Sequence, residues 1–365
     1  MIVNFVQIQN GHVIPINHMR VPALRTGYES VLPYRMTELY CTMAEEDGIV
    51  ESINPNSNIK VVFKSGKKKT IRLGSWNTKE ESNVSYKHTL ITNLTKGSKF
   101  KQGDTLSYDE AFFEPDIFDK SRVIFKTGTY MRVAFMETTN TYEDSTTVSS
   151  KATKKLGTTI VKSKSFVLNI DDNIINMVNI GDKVEPNDLL FSIAGSNIVD
   201  ADGKFDKESL AILQNIKNKS PKAKMRGKIQ NVRVYYNCEL EDMSKTLKDL
   251  ATESNKRLNG YTGKVNSSYS IKGKPLLPNT VEVKVYIEDN IKAAMGDKLV
   301  ASLQLKCTIS DVFTHDMVTD DGKDVDMTFS TKSVAARITA STVLNGTTTT
   351  VLNVLRNSAV DMYFK

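Results

Sequence analysis

The sequence lacks the features that mark membrane, secreted and zinc-binding proteins. No apolar run approaches the roughly 18 residues of a membrane span, and the amino terminus carries no signal-peptide pattern. The three cysteines, Cys41, Cys238 and Cys307, lie too far apart for a disulfide framework or a CxxC zinc site. The four histidines show none of the close spacings of metal-binding motifs. We therefore expect reduced thiols, no zinc and no membrane partner.

The motifs of common nucleotide-binding and nucleophilic enzymes are also missing. The sequence has no GxxxxGKS/T or GxGxxG phosphate loop and no GxSxG nucleophile motif. It has no DxDGD loop, in which alternating aspartates hold a catalytic metal pair. The segment Asp320–Gly322 contains two aspartates but lacks that alternation, which favours a turn. These absences give little support to nucleophile-based chemistry.

Length and charge leave room for nucleic-acid binding without identifying it. The 365 residues are enough for two or three domains of ordinary size. The formal charge of +7 tolerates a polyanionic partner, but a modest positive charge is common in soluble proteins of other functions.

The strongest local signal is that of β-structure. Runs rich in valine, isoleucine and aromatic residues, bounded by Gly, Asn, Asp and Lys, predict strands over 59–64, 165–170 and 281–287. Helical periodicity is confined to two segments, 206–216 and 240–250. The first places Leu210, Leu213 and Ile216 on one face, and the second Leu240, Met243, Leu247 and Leu250. The sequence therefore predicts a mainly β protein with one or two helices in a more polar module over 151–279.

Two groups of residues could carry chemistry. In the first, the apolar segment Met131–Met136 is followed by adjacent carboxylates at Glu143 and Asp144. Adjacent carboxylates can bind Mg²⁺, although such pairs also occur as solvated loop surface.

In the second group, Lys298 and Lys306 lie eight residues apart beyond a tight turn, and Arg337 follows Asp326 by eleven residues. A strand–turn–strand that brings two ammonium groups together makes a phosphate site. The alternative is two solvated lysines at strand ends.

A series of short motifs, read in order, resembles the β subunit of multisubunit DNA-directed RNA polymerases. The most specific are the MRVAFM of Met131–Met136 and the spacings that lead from Lys298 to Lys306 and from Asp326 to Arg337. The supporting segments are Val21–Arg25, Thr26–Glu29, Glu46–Ile53, Lys99–Leu106, Tyr142–Ser145, Ile180–Phe191 and Met295–Lys298.

The resemblance implies a double-psi β-barrel interrupted by a β-rich flap-like module. Residues 1–150 and 280–345 would form the barrel that binds the RNA–DNA hybrid. Residues 151–279 would form the flap-like module, with a tip helix near 206–216. No role is implied for residues 346–365.

The resemblance also implies roles for individual residues. Lys298 and Lys306 would face the RNA 3′ end and nearby phosphates, and Arg337 the phosphates of the incoming nucleoside triphosphate. Glu143 and Asp144 would lie beside the second, nucleotide-borne Mg²⁺. Two further sets are implied: Arg25 as a nucleic-acid contact, and Leu210, Leu213 and Ile216 as the contact for a promoter-recognition factor.

Departures from the family pattern refine the expectation. Ser302–Cys307 replaces a stretch in which the family has an arginine and a histidine. The amino-terminal lobes and the carboxy-terminal anchor of the β subunit have no counterpart. We therefore expect one chain of a split polymerase, similar to those of giant bacteriophages, acting in the cytoplasm of the infected host or packaged in the virion.

The expected partners are β′-like and other β-like chains, the DNA template, the RNA transcript and nucleoside triphosphates. A β′-like partner would hold Mg²⁺, so the chain alone should be inactive. Two other functions stay open: a structural or virion protein that retains the barrel without catalysis, and a barrel-type binding module unrelated to polymerases.

Overall fold

A computed structural model of the chain confirms that the fold is mainly β. Strands account for 41% and helices for 18%. The structure describes residues 1–5, 16–77, 84–117, 119–194, 221–258, 262–266, 268–271, 273–302, 305–337 and 340–364.

Short strands dominate the secondary structure. In chain order they are β1 (Ile2–Phe5), β2 (Cys41–Met43), β3 (Gly48–Asn54), β4 (Asn58–Phe63), β5 (Lys68–Arg72), β6 (Gly74–Asn77), β7 (Ser85–Ile91), β8 (Lys99–Phe100), β9 (Thr105–Asp109), β10 (Phe113–Pro115), β11 (Val123–Phe125), β12 (Thr129–Tyr130), β13 (Val133–Phe135), β14 (Ser145–Ser149), β15 (Thr158–Asn169), β16 (Asn173–Ile175), β17 (Lys183–Val184), β18 (Ser192–Ala194), β19 (Gly227–Tyr236), β20 (Gly263–Lys264), β21 (Ser270–Ile271), β22 (Lys274–Pro275), β23 (Thr280–Ile291), β24 (Lys298–Ala301), β25 (Leu305–Phe313) and β26 (Met327–Phe329). The helices are α1 (Ser150–Lys155), α2 (Lys245–Leu258), α3 (Thr331–Ala336) and α4 (Ala340–Phe364).

The chain divides into two compact units. Unit 1 comprises Met1–Thr78, Tyr86–Thr159 and Asn290–Lys365, and unit 2 comprises Lys79–Ser85 and Ile160–Asp289. The assignment of these units to a barrel and a flap-like module stays a prediction.

Unit 1 contains a seven-stranded sheet in the order β12-β1-β24-β25-β14-β26-β13. The pairs β14–β25 and β13–β26 are parallel, whereas β14 and β26 are antiparallel. As a result β14 lies between β25 and β26, and β26 lies between β14 and β13. Two strand–loop–strand segments that are remote in sequence therefore interleave.

Alternation of apolar and polar residues fixes the orientation of the antiparallel hairpin β24–β25. Five side chains of the hairpin point into the core of unit 1, while the residues between them face outward. The inward residues are Leu299, Ala301, Leu305, Cys307 and Ile309.

A smaller four-stranded sheet of unit 1, in the order β5-β4-β3-β8, has its own core. Ile59, Val61 and Phe63 alternate inward along β4 and are at most 3% exposed. This strand matches the predicted 59–64 segment closely. The predicted strands over 165–170 and 281–287 are also confirmed, since β15 and β23 overlap or contain them.

Within the described residues, one type of turn occurs five times, and an aspartate closes it each time. The aspartate carboxylate accepts a hydrogen bond from the backbone N–H three residues earlier, and its own N–H donates to the carbonyl of that residue. The five aspartates are Asp104, Asp172, Asp182, Asp188 and Asp297. In four of these turns the preceding residue has a φ between 77° and 100°, which favours glycine or asparagine; these are Gly103, Gly181, Asn187 and Gly296.

The recurring turn accounts for the similarity between residues 99–106 and 181–190. In the first segment the turn joins β8 to β9; in the second it follows β17 and leads to Leu189, which forms a single bridge with Lys222. The flanking strands nevertheless have different partners: β8 pairs with β3, whereas β9 pairs with β2 and β7. The turn after β8 thus carries the chain from one sheet, which contains β3 and β8, to another, which contains β2, β7 and β9.

In unit 2, helix α2 packs on the antiparallel strands β19 and β23. Leu247 and Ala251 of α2 are fully buried and share a core with Val234 and Val283. The helix predicted over 240–250 begins five residues later than expected, at Lys245. Ser244 accounts for this start, because its hydroxyl accepts from the Leu247 N–H at 3.5 Å and donates to Asp172 O at 2.6 Å. The helix predicted over 206–216 lies outside the described residues.

A buried aspartate connects the interleaved strands of unit 1 through hydrogen bonds. Asp326, 7% exposed, precedes β26 and accepts from the Arg132 N–H at 3.0 Å and from Lys155 Nζ at 2.8 Å. Its backbone carbonyl accepts from the Ser149 N–H at 2.8 Å. One residue thus connects the segment before β13, the end of β14 and helix α1.

We predict that Asp326→Ala lowers the free energy of unfolding of unit 1 by about 2 kcal/mol, because the variant leaves a part-buried N–H without its acceptor. Denaturant titration followed by circular dichroism measures the change. The control is Asp321→Ala, which removes an exposed carboxylate paired with Lys323 and should leave the midpoint unchanged. Equal midpoints for both variants would contradict the prediction.

Candidate nucleic-acid interface

Lys298 and Lys306 lie on the same outward face of the β24–β25 hairpin. Lys298 is opposite Thr308 and Lys306 is opposite Val300, so the lysines are diagonal neighbours on adjacent strands. Diagonal pairs in antiparallel sheets are about 7–8 Å apart. We refer to Lys298, Val300, Lys306 and Thr308 as the hairpin face. The strand–turn–strand predicted from the sequence is therefore present.

The turn before Lys298 is one of the five aspartate-closed turns. Asp297 accepts from the Ala294 N–H at 2.8 Å, and Gly296 has a φ of 91°. The Asp297 carboxylate is thus committed to the backbone next to Lys298. Both lysines are exposed, and neither has an ion-pair partner among the residues that the structure describes.

The carboxylate loop reaches the hairpin face through the parallel strand β14. Ser145 is opposite Thr308, and the Asp144 carbonyl accepts from the Thr308 N–H at 2.9 Å. Thr308 therefore has Lys298 on one side and the Asp144–Ser145 segment on the other. Glu143, two residues before the first β14–β25 pair, is exposed.

Arg337 closes the group from the end of α3. It is the C-terminal cap of that helix, and its guanidinium pairs with the Asp144 carboxylate. Arg337 and Asp144 side chains remain 40% and 48% exposed, so the pair stays accessible to solvent. Arg337 is thus tied to the residue whose backbone carbonyl accepts from Thr308, the residue opposite Lys298.

Sequence reasoning missed the residue that holds the loop in place. Glu137 accepts from the hydroxyls of Ser330 and Thr331, at 3.0 and 2.6 Å, and from the Lys332 N–H at 3.0 Å. It thereby satisfies free donors at the amino end of α3, where a negative charge is favoured. The only signal in the sequence was the Ser–Thr–Lys–Ser cap at 330–333, which does not reveal an acceptor almost 200 residues away.

The same helix also holds the other end of the loop. The Ser333 hydroxyl donates to the Glu143 carbonyl. Glu143 has a φ of 53°, a left-handed conformation that costs a residue with a Cβ on the order of 1–2 kcal/mol. Since α3 binds the loop at Glu137, Glu143 and Asp144, the position of the carboxylate pair is set by this short helix.

The charges of Asp144 and Arg337 act on Cys307, a buried residue of the hairpin. Burial, with a smaller contribution from the Asp144 carboxylate, raises the pKa of the Cys307 thiol to about 12, and the Arg337 guanidinium opposes this shift. The thiol therefore stays protonated at neutral pH and serves as an apolar core residue.

Of the remaining predicted site residues, Arg25 lies away from the hairpin face and the others lie outside the described residues. Arg25 is exposed, and its Nε donates to Pro22 O at 3.3 Å, in the segment that packs near Tyr130 on β12. β12 is separated from β24 by β1, so the structure does not bring Arg25 to the hairpin face. Leu210, Leu213 and Ile216 lie outside the described residues.

The residues at the site fit a metal only in part. Mg²⁺ prefers oxygen ligands and is often bound by one or two carboxylates together with substrate phosphates. Here Arg337 already engages the Asp144 carboxylate, which leaves Glu143 as the uncommitted acid. Within the described ranges, no three His, Cys, Asp or Glu residues are grouped as a metal site. The pair alone is therefore not a complete Mg²⁺ site.

The contacts of Glu137 predict a pH effect on stability. Hydrogen bonds from Thr331 and the Lys332 backbone hold the pKa of Glu137 below its ordinary value of 4.5. A folded-state pKa below the unfolded one contributes stability at neutral pH that is lost as the pH falls through and below 4.5. Glu137→Gln should therefore be less stable than the native chain at pH 7, with the difference shrinking toward pH 3.

Denaturant titrations at several pH values between 7 and 3 measure this difference. Glu241→Gln, a change at an exposed glutamate in unit 2, serves as the control and should track the native chain at every pH. A Glu137→Gln deficit that stays constant down to pH 3 would show that the carboxylate charge is not what holds the loop.

Comparisons with known proteins add no assignment. No model of a known protein family and no curated protein matches the chain. Within the described parts of the chain, no helix is both long and apolar enough to cross a bilayer. The geometry of the hairpin face and the carboxylate loop is thus the basis on which a function is proposed.

Proposed function

We propose that the chain is a β-like subunit of a split, multisubunit DNA-directed RNA polymerase of the kind found in giant bacteriophages. The observation that carries this proposal is that Lys298 and Lys306 share the hairpin face, beside the strand segment that carries Asp144 and its partner Arg337. The resemblance to polymerases named these residues from three separate motifs. The fold brings the two lysines together on one hairpin and joins Arg337 to Asp144 on the neighbouring strand segment.

The cations of the group suit nucleotidyl transfer. In that reaction the 3′ oxygen of the RNA attacks the α-phosphorus of a nucleoside triphosphate, and pyrophosphate leaves. Negative charge on the phosphoryl oxygens is stabilised by fixed cations. Lys298 and Lys306 serve the RNA end and the reacting phosphates, and Arg337 serves the phosphates of the incoming nucleotide.

The ion pair between Arg337 and Asp144 has a role before nucleotide binds. The carboxylate holds the guanidinium at the end of the β14 loop, and the pair is exposed enough to open when phosphate arrives. An exposed pair of this kind contributes at most about 1 kcal/mol, so exchange for a phosphate partner costs little.

The metal ions belong mainly to the β′-like partner in this proposal. The chain lacks a DxDGD loop, and one of its two adjacent carboxylates, Asp144, is paired with Arg337. Bound Mg²⁺ would neutralise phosphate charge, and Glu143 is the residue of this chain that could approach it. The isolated chain is therefore inactive.

The strand order supports the finer proposal of a double-psi β-barrel in unit 1. β13 and β14 are joined by a loop, yet β26 lies between them. β25 and β26 are likewise joined by a loop, yet β14 lies between them. Two such crossovers interleaved in one sheet are the arrangement that this barrel requires.

A short link between the sheet edges supports a rolled sheet. β12 and β13 stand at opposite ends of the seven-stranded order, but only Met131 and Arg132 separate them in sequence. This link spans at most about 10 Å. Seven flat strands would place the two edges about 29 Å apart, since neighbouring strands are about 4.8 Å apart.

Unit 2 is the flap-like module in this proposal, and its tip would carry Leu210, Leu213 and Ile216 toward a promoter-recognition factor. The other partners are β′-like and β-like chains, template DNA, RNA and nucleoside triphosphates. The complex acts in the cytoplasm of the infected host, or travels in the virion.

A structural or virion protein with a barrel but no catalysis is the second candidate. It is favoured by the replacement at Ser302–Cys307, where Lys306 is the one basic residue. RNA synthesis that is unaffected by loss of the hairpin cations would support it.

The proposal predicts that the tagged chain co-purifies from infected cells with a protein bearing a DxDGD motif. Mass spectrometry of the purified complex identifies the partner, and a radiolabelled nucleotide assay detects RNA synthesis. A complex without such a partner and without RNA synthesis would overturn the polymerase assignment.

The proposal also predicts that Lys298→Ala in the assembled complex slows nucleotide addition by roughly 10²-fold, the cost of removing one charge-stabilising donor. Single-nucleotide extension on a preformed scaffold measures the rate. Lys292→Ala is the matched control, because Lys292 is exposed and nearby in sequence but lies before the hairpin. An unchanged rate for Lys298→Ala would rule out its assigned role.

A further inference from the structure

Unit 2 contains a cluster of four lysines that the proposed catalytic role does not use. Lys162 and Lys164 lie on β15, two residues apart, and Lys222 and Lys224 lie two residues apart on the segment before β19. We refer to these four residues as the lysine cluster.

A direct contact joins the two halves of the cluster. Lys164 Nζ donates to the Lys222 carbonyl at 2.8 Å. The backbone around Lys222 is itself held in place: Leu190 N donates to Pro221 O at 2.7 Å and Ala223 N donates to Asp188 O at 2.8 Å. The cluster is thus part of the folded unit.

The lysines of the cluster differ in exposure: Lys222 and Lys224 are exposed, and Lys162 and Lys164 are half-buried. Lys222 and Lys224 are exposed on either side of Ala223, which is 2% exposed. On β15, Lys162 and Lys164 share a face with Phe166, because strand side chains alternate. Lys164 Nζ lies 5.1 Å from the Phe166 ring centre, and that ring packs edge-on against Phe191.

The cluster brings like charges together without a matching acid. None of the four lysines forms an ion pair with a carboxylate in the described part of the chain. The nearest acid along the paired segment, Asp188, is engaged by the Glu185 N–H at 2.7 Å. Burial lowers the pKa of Lys164, and the charge of Lys224 lowers it further.

The contrast with another lysine run shows that this arrangement is not general for the chain. Lys67, Lys68 and Lys69 are also consecutive cations on the surface, but each forms an ion pair with a glutamate of unit 1. Repulsion there is relieved within the fold. In the lysine cluster no carboxylate of the described residues supplies that relief.

We propose that the lysine cluster binds the sugar–phosphate backbone of a nucleic acid. Residues two apart on an extended strand are about 6.6 Å apart, a spacing comparable to that of successive phosphates along a strand. Lysine binds phosphate as a point charge and does not need the bidentate geometry of arginine. This inference goes beyond the proposed function and does not depend on it, because binding requires no RNA synthesis.

Fluorescence anisotropy with the full-length chain tests the proposal. The probes are a labelled single-stranded RNA and a labelled DNA duplex, each titrated at several salt concentrations. The test variant is Lys162→Gln/Lys164→Gln/Lys222→Gln/Lys224→Gln. The matched control is Lys67→Gln/Lys68→Gln/Lys151→Gln/Lys264→Gln, which removes the same charge from exposed lysines that have carboxylate partners.

The cluster variant should bind at least one probe at least about tenfold more weakly than the control does, with a slope of log K against log salt that is smaller by about 3. The probe that responds identifies the single strand or the duplex as the ligand. Equal weakening in test and control variants would reduce the effect to net charge and overturn the proposal. Unchanged affinity would overturn it as well.

Two further measurements test for an acidic protein partner and for misfolding of the fourfold variant. A labelled polyglutamate probe that loses affinity for the cluster variant, while both nucleic acids keep theirs, would replace the proposal with an acidic protein partner. If the fourfold variant fails to fold by circular dichroism, Lys222→Gln/Lys224→Gln is used, since both side chains are exposed. That double variant should still weaken binding and lower the salt slope by about 1.5, and an unchanged slope would overturn the proposal.

Discussion

The pairing of β14 on both of its edges is the constraint on which the candidate interface depends. Val148 is opposite Val312 of β25 on one side and Met327 of β26 on the other, and it is fully buried. Buried threonines reinforce the arrangement, since Thr146 Oγ1 donates to Thr328 O at 2.6 Å. A five-residue strand therefore fixes the register of two segments more than 150 residues away, and the Asp144 carbonyl pairs with the Thr308 N–H as a direct consequence.

Local chemistry explains why the hairpin and its turns could be predicted from the sequence. Inward Leu299, Leu305 and Ile309 alternate with outward residues, so the face that carries Lys298 and Lys306 follows from a period of two. The Gly–Asp pairs predict turns because the carboxylate closes its own backbone loop. Such signals lie within a few residues of the structure that they determine.

The rest of the site depends on contacts that sequence spacing does not encode. Arg337 pairs with Asp144, 193 residues earlier in the chain. Glu137 binds the amino end of α3, although the sequence around that helix shows only its local cap, Ser330. The same limit explains why the start of α2 was predicted five residues too early. Leu240 and Met243 pack in the core of unit 2 and fit the helical spacing of apolar residues, but they precede the helix. Burial of those side chains requires only that they face the core, and Ser244 decides where the helix begins.

The distribution of charge separates two kinds of lysine in this chain. Lysines such as Lys68 and Lys264 have glutamate partners, and their charges are balanced within the fold. Lys298, Lys306 and the lysine cluster have no such partner among the described residues. Because unbalanced like charges repel one another, an anionic ligand at these positions would lower that repulsion. A nucleic acid can supply phosphates to each of these sites, and its binding would relieve the repulsion that the protein alone leaves in place.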